Sequence, residues 1–235
     1  MPFEAEALPA YQEQFETLFQ WARGAFPDGV SVCDIGGGGH FLDFPSRIRP
    51  WAGRMVGVDP DPGVLQRAWY NEAHQALVED WAPTTDERFD LMFAVYVLEH
   101  VDQPAAFCAA ARSLLAPGGA FFGITPNLWH YFGAIGAAAA HLGLEDWLLQ
   151  RVRDQALVED YHFPVRYRLN SLRRIRATAL AAGFSKVSFK CIEDPGMFVT
   201  YFPQRLRKLP GWYSQAIHRI GRPEFYGTIV FRLDA

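Results

Sequence analysis

The sequence predicts an α/β protein organised around a largely parallel sheet with helices on both faces. Three observations predict it. Short apolar runs of strand length alternate with helical patterns through the first half of the chain, as strand–helix–strand units require. One of those runs, Val32-Cys33-Asp34-Ile35, leads straight into Gly36-Gly37-Gly38-Gly39. Half of the 235 residues are apolar and 15% are aromatic, enough for a large core in one domain and too apolar for a disordered chain.

In order along the chain, Tyr11–Ala25 reads as an amphipathic helix with Phe15, Leu18, Phe19 and Ala22 on one face, so residues 1–29 are expected to form an N-terminal helical extension. Strands are expected at Val30–Ile35, Arg54–Val58, Gln75–Glu79, Phe89–Tyr96 and Gly119–Thr125. Pro45, Pro50 and Pro62 keep the helices after the first two strands short. Gln103–Leu115 is an alanine-rich helix stopped by Pro117-Gly118-Gly119. Residues 127–168, rich in aromatics, histidine and alanine, are too long for a structureless loop and are expected to fold as a helical lid over the sheet's edge. Ser171–Ala182 follows as a helix, capped by Asn170 or Ser171 and stopped by Gly183. Lys186–Ile192 and Gly227–Leu233 are the last strands. No repeat or low-complexity linker divides the chain, so residues 1–235 are read as one domain.

Charge and cysteine usage narrow the function classes. Residues 1–150 carry a net charge of −12 and residues 151–235 carry +8. The acidic front half disfavours nucleic acid as a partner. No apolar run reaches the roughly 20 residues of a membrane helix, and the N-terminus lacks a signal-peptide pattern, so no membrane partner and a cytoplasmic location are expected. Cys33, Cys108 and Cys191 lie in apolar stretches without metal spacing and read as reduced, buried thiols, with no metal site.

The chemistry is expected where the first strand meets its glycine turn. Glycines let backbone N–H groups approach a ligand, although a purely structural turn would also use them. A dinucleotide fingerprint would need glycine where Phe41 stands, and a phosphate loop would need a following lysine, which is absent. The second strand ends in Asp59, placed to accept both hydroxyls of a ribose, so the ligand class is adenosine; a turn-capping role ahead of Pro60-Asp61-Pro62 is the competing reading. At the expected end of the third strand, Asp80 is positioned to accept from an adenine amine and Trp81 to cover the base, with a solvated acidic pair as the alternative.

In this order the motifs resemble the class I S-adenosylmethionine-dependent methyltransferases, in particular the small-molecule branch. Residues 34–40 resemble the family's glycine-rich first motif, Val56–Pro62 its acidic second strand, Val78-Glu79-Asp80 its adenine-contacting acid, Phe89–Val101 its fourth-strand block and Leu114–Asn127 its helix-turn-strand block. The resemblance implies a Rossmann-like seven-stranded mixed sheet in the order 3-2-1-4-5-7-6 with the last strand antiparallel. It implies S-adenosylmethionine as the cofactor, with Asp34, Gly36 and Gly38 at its methionine end, Asp59 at its ribose, and Asp80 at its adenine. His40 stands where many relatives have a third glycine. The function implied is methyl transfer to an oxygen, nitrogen or carbon of a small aromatic or amphipathic metabolite. The rivals are an NAD(P)-dependent oxidoreductase and a silent or non-methylating adenosyl-binding protein.

Glu99-His100 reads as structural. The candidate substrate-side residues are His130, Tyr131, His141, Tyr161, His162 and Tyr167; His162, beside Phe163 and Pro164, is the candidate base, against a plain surface histidine. Arg173, Arg174 and Arg176 could clamp an acidic substrate group or form a solvated helix face.

Overall fold

A computed structural model describes residues 4–9, 13–39, 44–142, 164–199, 202 and 204–235. Eight strands form one sheet: β1 (Glu4–Ala7), β2 (Val30–Ile35), β3 (Ala52–Asp59), β4 (Glu72–Gln75), β5 (Phe89–Val95), β6 (Leu115–Pro126), β7 (Lys186–Ile192) and β8 (Thr228–Asp234). Their order is β1-β7-β8-β6-β5-β2-β3-β4. Only β8 runs antiparallel to its neighbours β6 and β7. Leaving out β1, the order is the one expected.

The eighth strand corrects the reading of residues 1–29 as wholly helical. β1 pairs parallel with β7, Glu4 opposite Ser188 and Ala7 opposite Cys191. Its sequence, Glu-Ala-Glu-Ala, has poor strand propensity, so it exists by pairing with an available edge. Ala5 packs against the core and Glu6 lies 4.0 Å from Lys190 on the other face. The helix α1 (Gln14–Arg23) follows, with Glu13 as its cap accepting from the Phe15 N–H at 2.9 Å.

The third strand is also shifted. β4 ends at Gln75, and Val78–Trp81 forms the helical turn α3 instead. β4 is an edge strand with partly exposed side chains, so its apolar signal is weak, whereas Leu77-Val78 imitates a strand end. What holds β4 in place is remote in sequence: Asn71 Oδ1 accepts the Met55 N–H at 2.8 Å, and the Asn71 N–H donates to Met55 O.

Two helical layers close the core. On one face α4 (Pro104–Ser113) and α6 (Leu172–Ala181) bury Phe107, Ala111, Leu172 and Ile175 with Ile35, Val58, Met92 and Phe231. On the other, α1 and α2 (Phe44–Ile48) bury Leu18, Phe44 and Ile48 with Val32, Met55, Phe93 and Phe122. Ser171 caps α6, accepting from the Arg174 N–H. Pro117-Gly118-Gly119 is a bulge at the start of β6, with Gly118 at φ +79°, because the β5 register jumps there from Leu115 to Ala120. Cys33, Cys108 and Cys191 are buried free thiols; burial pushes those of Cys108 and Cys191 up to about 12.

Between β7 and β8 the sequence reading assigned no helix, but α7 (Pro195–Val199) and α8 (Leu209–Ile220) occur there. Pro210 is tolerated in the first turn of α8, where its missing N–H has no helical acceptor to serve. Of residues 127–168, α5 (Tyr131–His141) is helical; Tyr161 and His162 lie outside the described residues. No helix among the described residues is long and apolar enough to cross a membrane.

Candidate cofactor and acceptor site

The carboxyl ends of β2, β3 and β5 meet at the glycine turn. Gly36 sits at φ +91°, and a Cβ there would collide with Val97 beyond β5, so this position admits only glycine. The Gly38 N–H donates to Asp59 Oδ2 at 2.9 Å, while Asp59 Oδ1 accepts the Asp61 N–H at 2.7 Å. Asp59 is therefore both a turn residue and the anchor of the glycine loop, and a carboxylate with about four lone-pair positions keeps two for hydroxyl donors. It is 6% exposed, and burial raises its pKa. Arg67 Nη2 donates to Gly38 O and Gly39 O, both at 2.8 Å, fixing the outer side of the loop.

Asp34, at the end of β2, is 3% exposed. Burial pushes its carboxyl up to about 7, opposed by a hydrogen bond from the Tyr70 hydroxyl to Oδ2 and reinforced by the nearby Asp59. Tyr70 carried no sequence signal; it comes from the segment before β4.

Asp80 and Trp81 are not where the sequence placed them. Because β4 ends early, Asp80 lies on the exposed side of α3, and Trp81 is buried, stacked on His74 at 4.7 Å and beside Phe89. The connection from β4 to α3 instead presents Leu77, 50% exposed. His40 and Phe41 lie outside the described residues.

Tyr96, between β5 and Val97, is held at φ +55°, a conformation non-glycine residues seldom adopt. Its hydroxyl accepts from Gln14 Nε2 at 3.3 Å and its ring meets Phe15 edge-on, so the start of α1 reaches to the strand ends.

Glu99 is buried and structural. Asn170 Nδ2 donates to Thr125 Oγ1 at 2.6 Å, and Thr125 donates to Glu99 Oε2 at 3.3 Å. Glu99 O accepts the N–H groups of Arg166 and Tyr167, tying the returning chain to the end of β5. Burial pushes the Glu99 carboxyl up to about 8. His100 is on the outside, with Nδ1 3.3 Å from Pro164 O.

His130 is fully buried at the end of β6, with Nε2 3.4 Å from Glu193 Oε2 at the end of β7, between the rings of Tyr131 and Tyr213. Its Nδ1 accepts the Phe132 N–H at 3.3 Å. This cluster braces three strand ends: the Gly227 N–H, ahead of β8, donates to Glu193 Oε2 at 2.9 Å. Burial and the Glu193 charge push the Tyr213 phenol up to about 12 and that of Tyr131 higher still. Tyr167 packs its hydroxyl on Gly136 of α5. Arg173 and Arg174 are exposed and Arg176 is half-exposed, Arg174 donating to Tyr167 O, so these residues form a helix face. Among the described residues, Arg166 and Arg168 pair with Asp102 of the acidic half.

Comparison with known proteins identifies the family and the fold. Residues 6–189 match the methyltransferase domain family. A ubiquinone biosynthesis O-methyltransferase of Methylobacterium sp. (strain 4-46) is 35% identical over 106 residues, 42% of this chain and 42% of that protein. The enzyme of the same name from Parvibaculum lavamentivorans (strain DS-1 / DSM 13023 / NCIMB 13966) is 34% identical over 127 residues, 49% of each. These matches span less than half the length of the curated relatives. A S-adenosylmethionine-dependent methyltransferase of Archaeoglobus fulgidus superposes with a TM-score of 0.61 at 12% identity, over 94% of this chain and 92% of that one. The chain belongs to the methyltransferase domain family and has the class I S-adenosylmethionine-dependent methyltransferase fold. Neither rival reading finds support among these proteins.

Proposed function

We propose that the chain is a cytoplasmic enzyme that transfers a methyl group from S-adenosylmethionine to a hydroxyl oxygen of a small aromatic metabolite. The observation that carries this is the lock between the Gly38 N–H and Asp59, which sets a turned glycine loop and an oriented acceptor side by side at adjacent strand ends. The donor set suits the cofactor: Asp59 retains lone pairs for two ribose hydroxyls, Asp34 offers a carboxylate to the methionine ammonium, and exposed Leu77 offers an apolar surface to the adenine. Oxygen as the acceptor atom is supported by the O-methyltransferase relatives.

Bound S-adenosylmethionine supplies an electrophilic methyl group. The chain's own residues have to orient the acceptor in line with it and keep water out, which provides much of the rate in such reactions. Residues 127–168 would roof the acceptor, and His162 would take the hydroxyl proton.

Calorimetric titration should show binding of S-adenosylhomocysteine and none of NAD. Incubation with a metabolite extract should add one methyl mass to a component only when enzyme and S-adenosylmethionine are both present. With that acceptor, His162→Ala should lower kcat on the order of 100-fold; a loss below about threefold would leave positioning as the mechanism. Binding of NAD without S-adenosylhomocysteine would overturn the proposal.

A further inference from the structure

Tyr70 occupies an unusual place. It lies outside the glycine loop and outside every motif in the sequence, yet its hydroxyl donates to Asp34 Oδ2 across 36 residues of chain. Its ring lies against Gly57 of β3 and its hydroxyl against Gly37, and a Cβ at either position would strike it. One strand, β3, and the loop have thus been cleared of side chains to admit this one ring. Trp69 packs edge-on to it, and Arg67, over the Trp69 ring, holds the loop carbonyls, so the segment from Arg67 to Tyr70 grips the glycine loop at both ends.

The bond has a direction. Burial and the Asp34 charge raise the Tyr70 phenol far above its ordinary value of 10.0, so it stays protonated and can only donate to the carboxylate. With Oδ2 taken, the Asp34 carboxylate makes no second hydrogen bond among the described residues, and Oδ1 is the oxygen left to receive a cation. The titratable groups facing Asp34 are Tyr70, Asp59 at the end of β3 and Cys33 beside it; Arg67 acts on Asp59.

We propose that Tyr70 is a positioning residue for the amino-acid end of the methyl donor: it holds Asp34 by one oxygen so that the other meets the donor's ammonium beside the glycine loop. This rests on the reading of the site as one for S-adenosylmethionine. A hydrogen bond to the ionised form favours that form, so Tyr70 also keeps Asp34 charged at a pH where burial alone would neutralise it.

The test is calorimetric titration of wild type and Tyr70→Phe with S-adenosylhomocysteine and with 5′-methylthioadenosine, which keeps the adenosine and the thioether but lacks the amino-acid end. Measured from about pH 5.5 to 8.5, wild-type affinity for S-adenosylhomocysteine should rise as Asp34 ionises, whereas that for 5′-methylthioadenosine should stay flat. Tyr70→Phe should move the rise upward by about one pH unit and weaken S-adenosylhomocysteine about fivefold near pH 7, leaving 5′-methylthioadenosine unchanged. Asp34→Asn should abolish the pH dependence by itself, and adding Tyr70→Phe to it should do nothing more. An unmoved profile, or equal weakening of both ligands, would overturn the role given to Tyr70 while leaving the adenosyl site standing. Failure of both ligands to bind wild type would instead overturn the proposed function, and this role with it.

Discussion

Asp59→Ala is expected to weaken S-adenosylhomocysteine binding about 10- to 100-fold, on the order of 1–3 kcal/mol, the cost of leaving desolvated donors unpaired. Two losses combine. The ribose hydroxyls would lose their acceptor, and the Gly38 N–H, now fixed by Asp59 Oδ2, would lose the bond that sets the loop's shape. Because Asp59 Oδ1 also accepts from Asp61, which in turn caps the turn at Pro62–Gln66, the variant should bind 5′-methylthioadenosine as poorly as S-adenosylhomocysteine. That sets it apart from a change at Tyr70, which should spare the shorter ligand. Calorimetry on both ligands, with circular dichroism to establish folding, checks this; a folded variant of unchanged affinity would remove Asp59 from the site.

Glu99→Gln is expected to change how stability depends on pH more than stability itself. The carboxyl titrates near 4.5 when unfolded and is pushed up to about 8 in the fold. Between those values the native state holds a proton that the unfolded state has released, so wild-type stability falls as pH rises across that window and levels off above about 8. Gln keeps a carbonyl oxygen to accept from Thr125 and has nothing to ionise, so the variant should gain on wild type by an amount on the order of 3 kcal/mol between about pH 5 and pH 9. Asp34, pushed up to about 7, contributes in the same direction but is common to both proteins and cancels in the difference. Urea unfolding at the two pH values provides the measurement; parallel profiles would mean that Glu99 is ionised in the fold.

The Glu99 network was not visible as a pattern. Glu99-His100 reads from the sequence as a structural pair, but its connections run to Thr125 and Asn170, 26 and 45 residues apart along the chain from one partner to the next. Buried polar groups are satisfied by whatever the fold brings near, and no spacing rule marks such partners in advance. The same holds for His130, which the sequence offers as a substrate-side candidate and the fold seals against Glu193.

What the sequence by itself determined is what local physics controls. Apolar runs with turn residues at their ends located β2, β3, β5, β6, β7 and β8 and the helices α1, α4 and α6, because burial on a regular element imposes its period on the chain. The glycine turn and the acid ending β3 were legible for a related reason: a positive φ at Gly36 and a carboxylate at a strand end are demands on single positions. Only the tertiary structure decided the rest. β1 exists because β7 offers an unpaired edge, and β4 begins where Asn71 grips Met55 rather than where hydrophobicity peaks. That shift carries Asp80 and Trp81 onto α3 and leaves Leu77 exposed between β4 and α3. Tyr70 reaches Asp34 because β2 and β3 lie side by side, so that Gly57, directly opposite Asp34, leaves room for its ring. Contacts of that kind depend on which strands become neighbours, a long-range pairing that no stretch of sequence encodes alone.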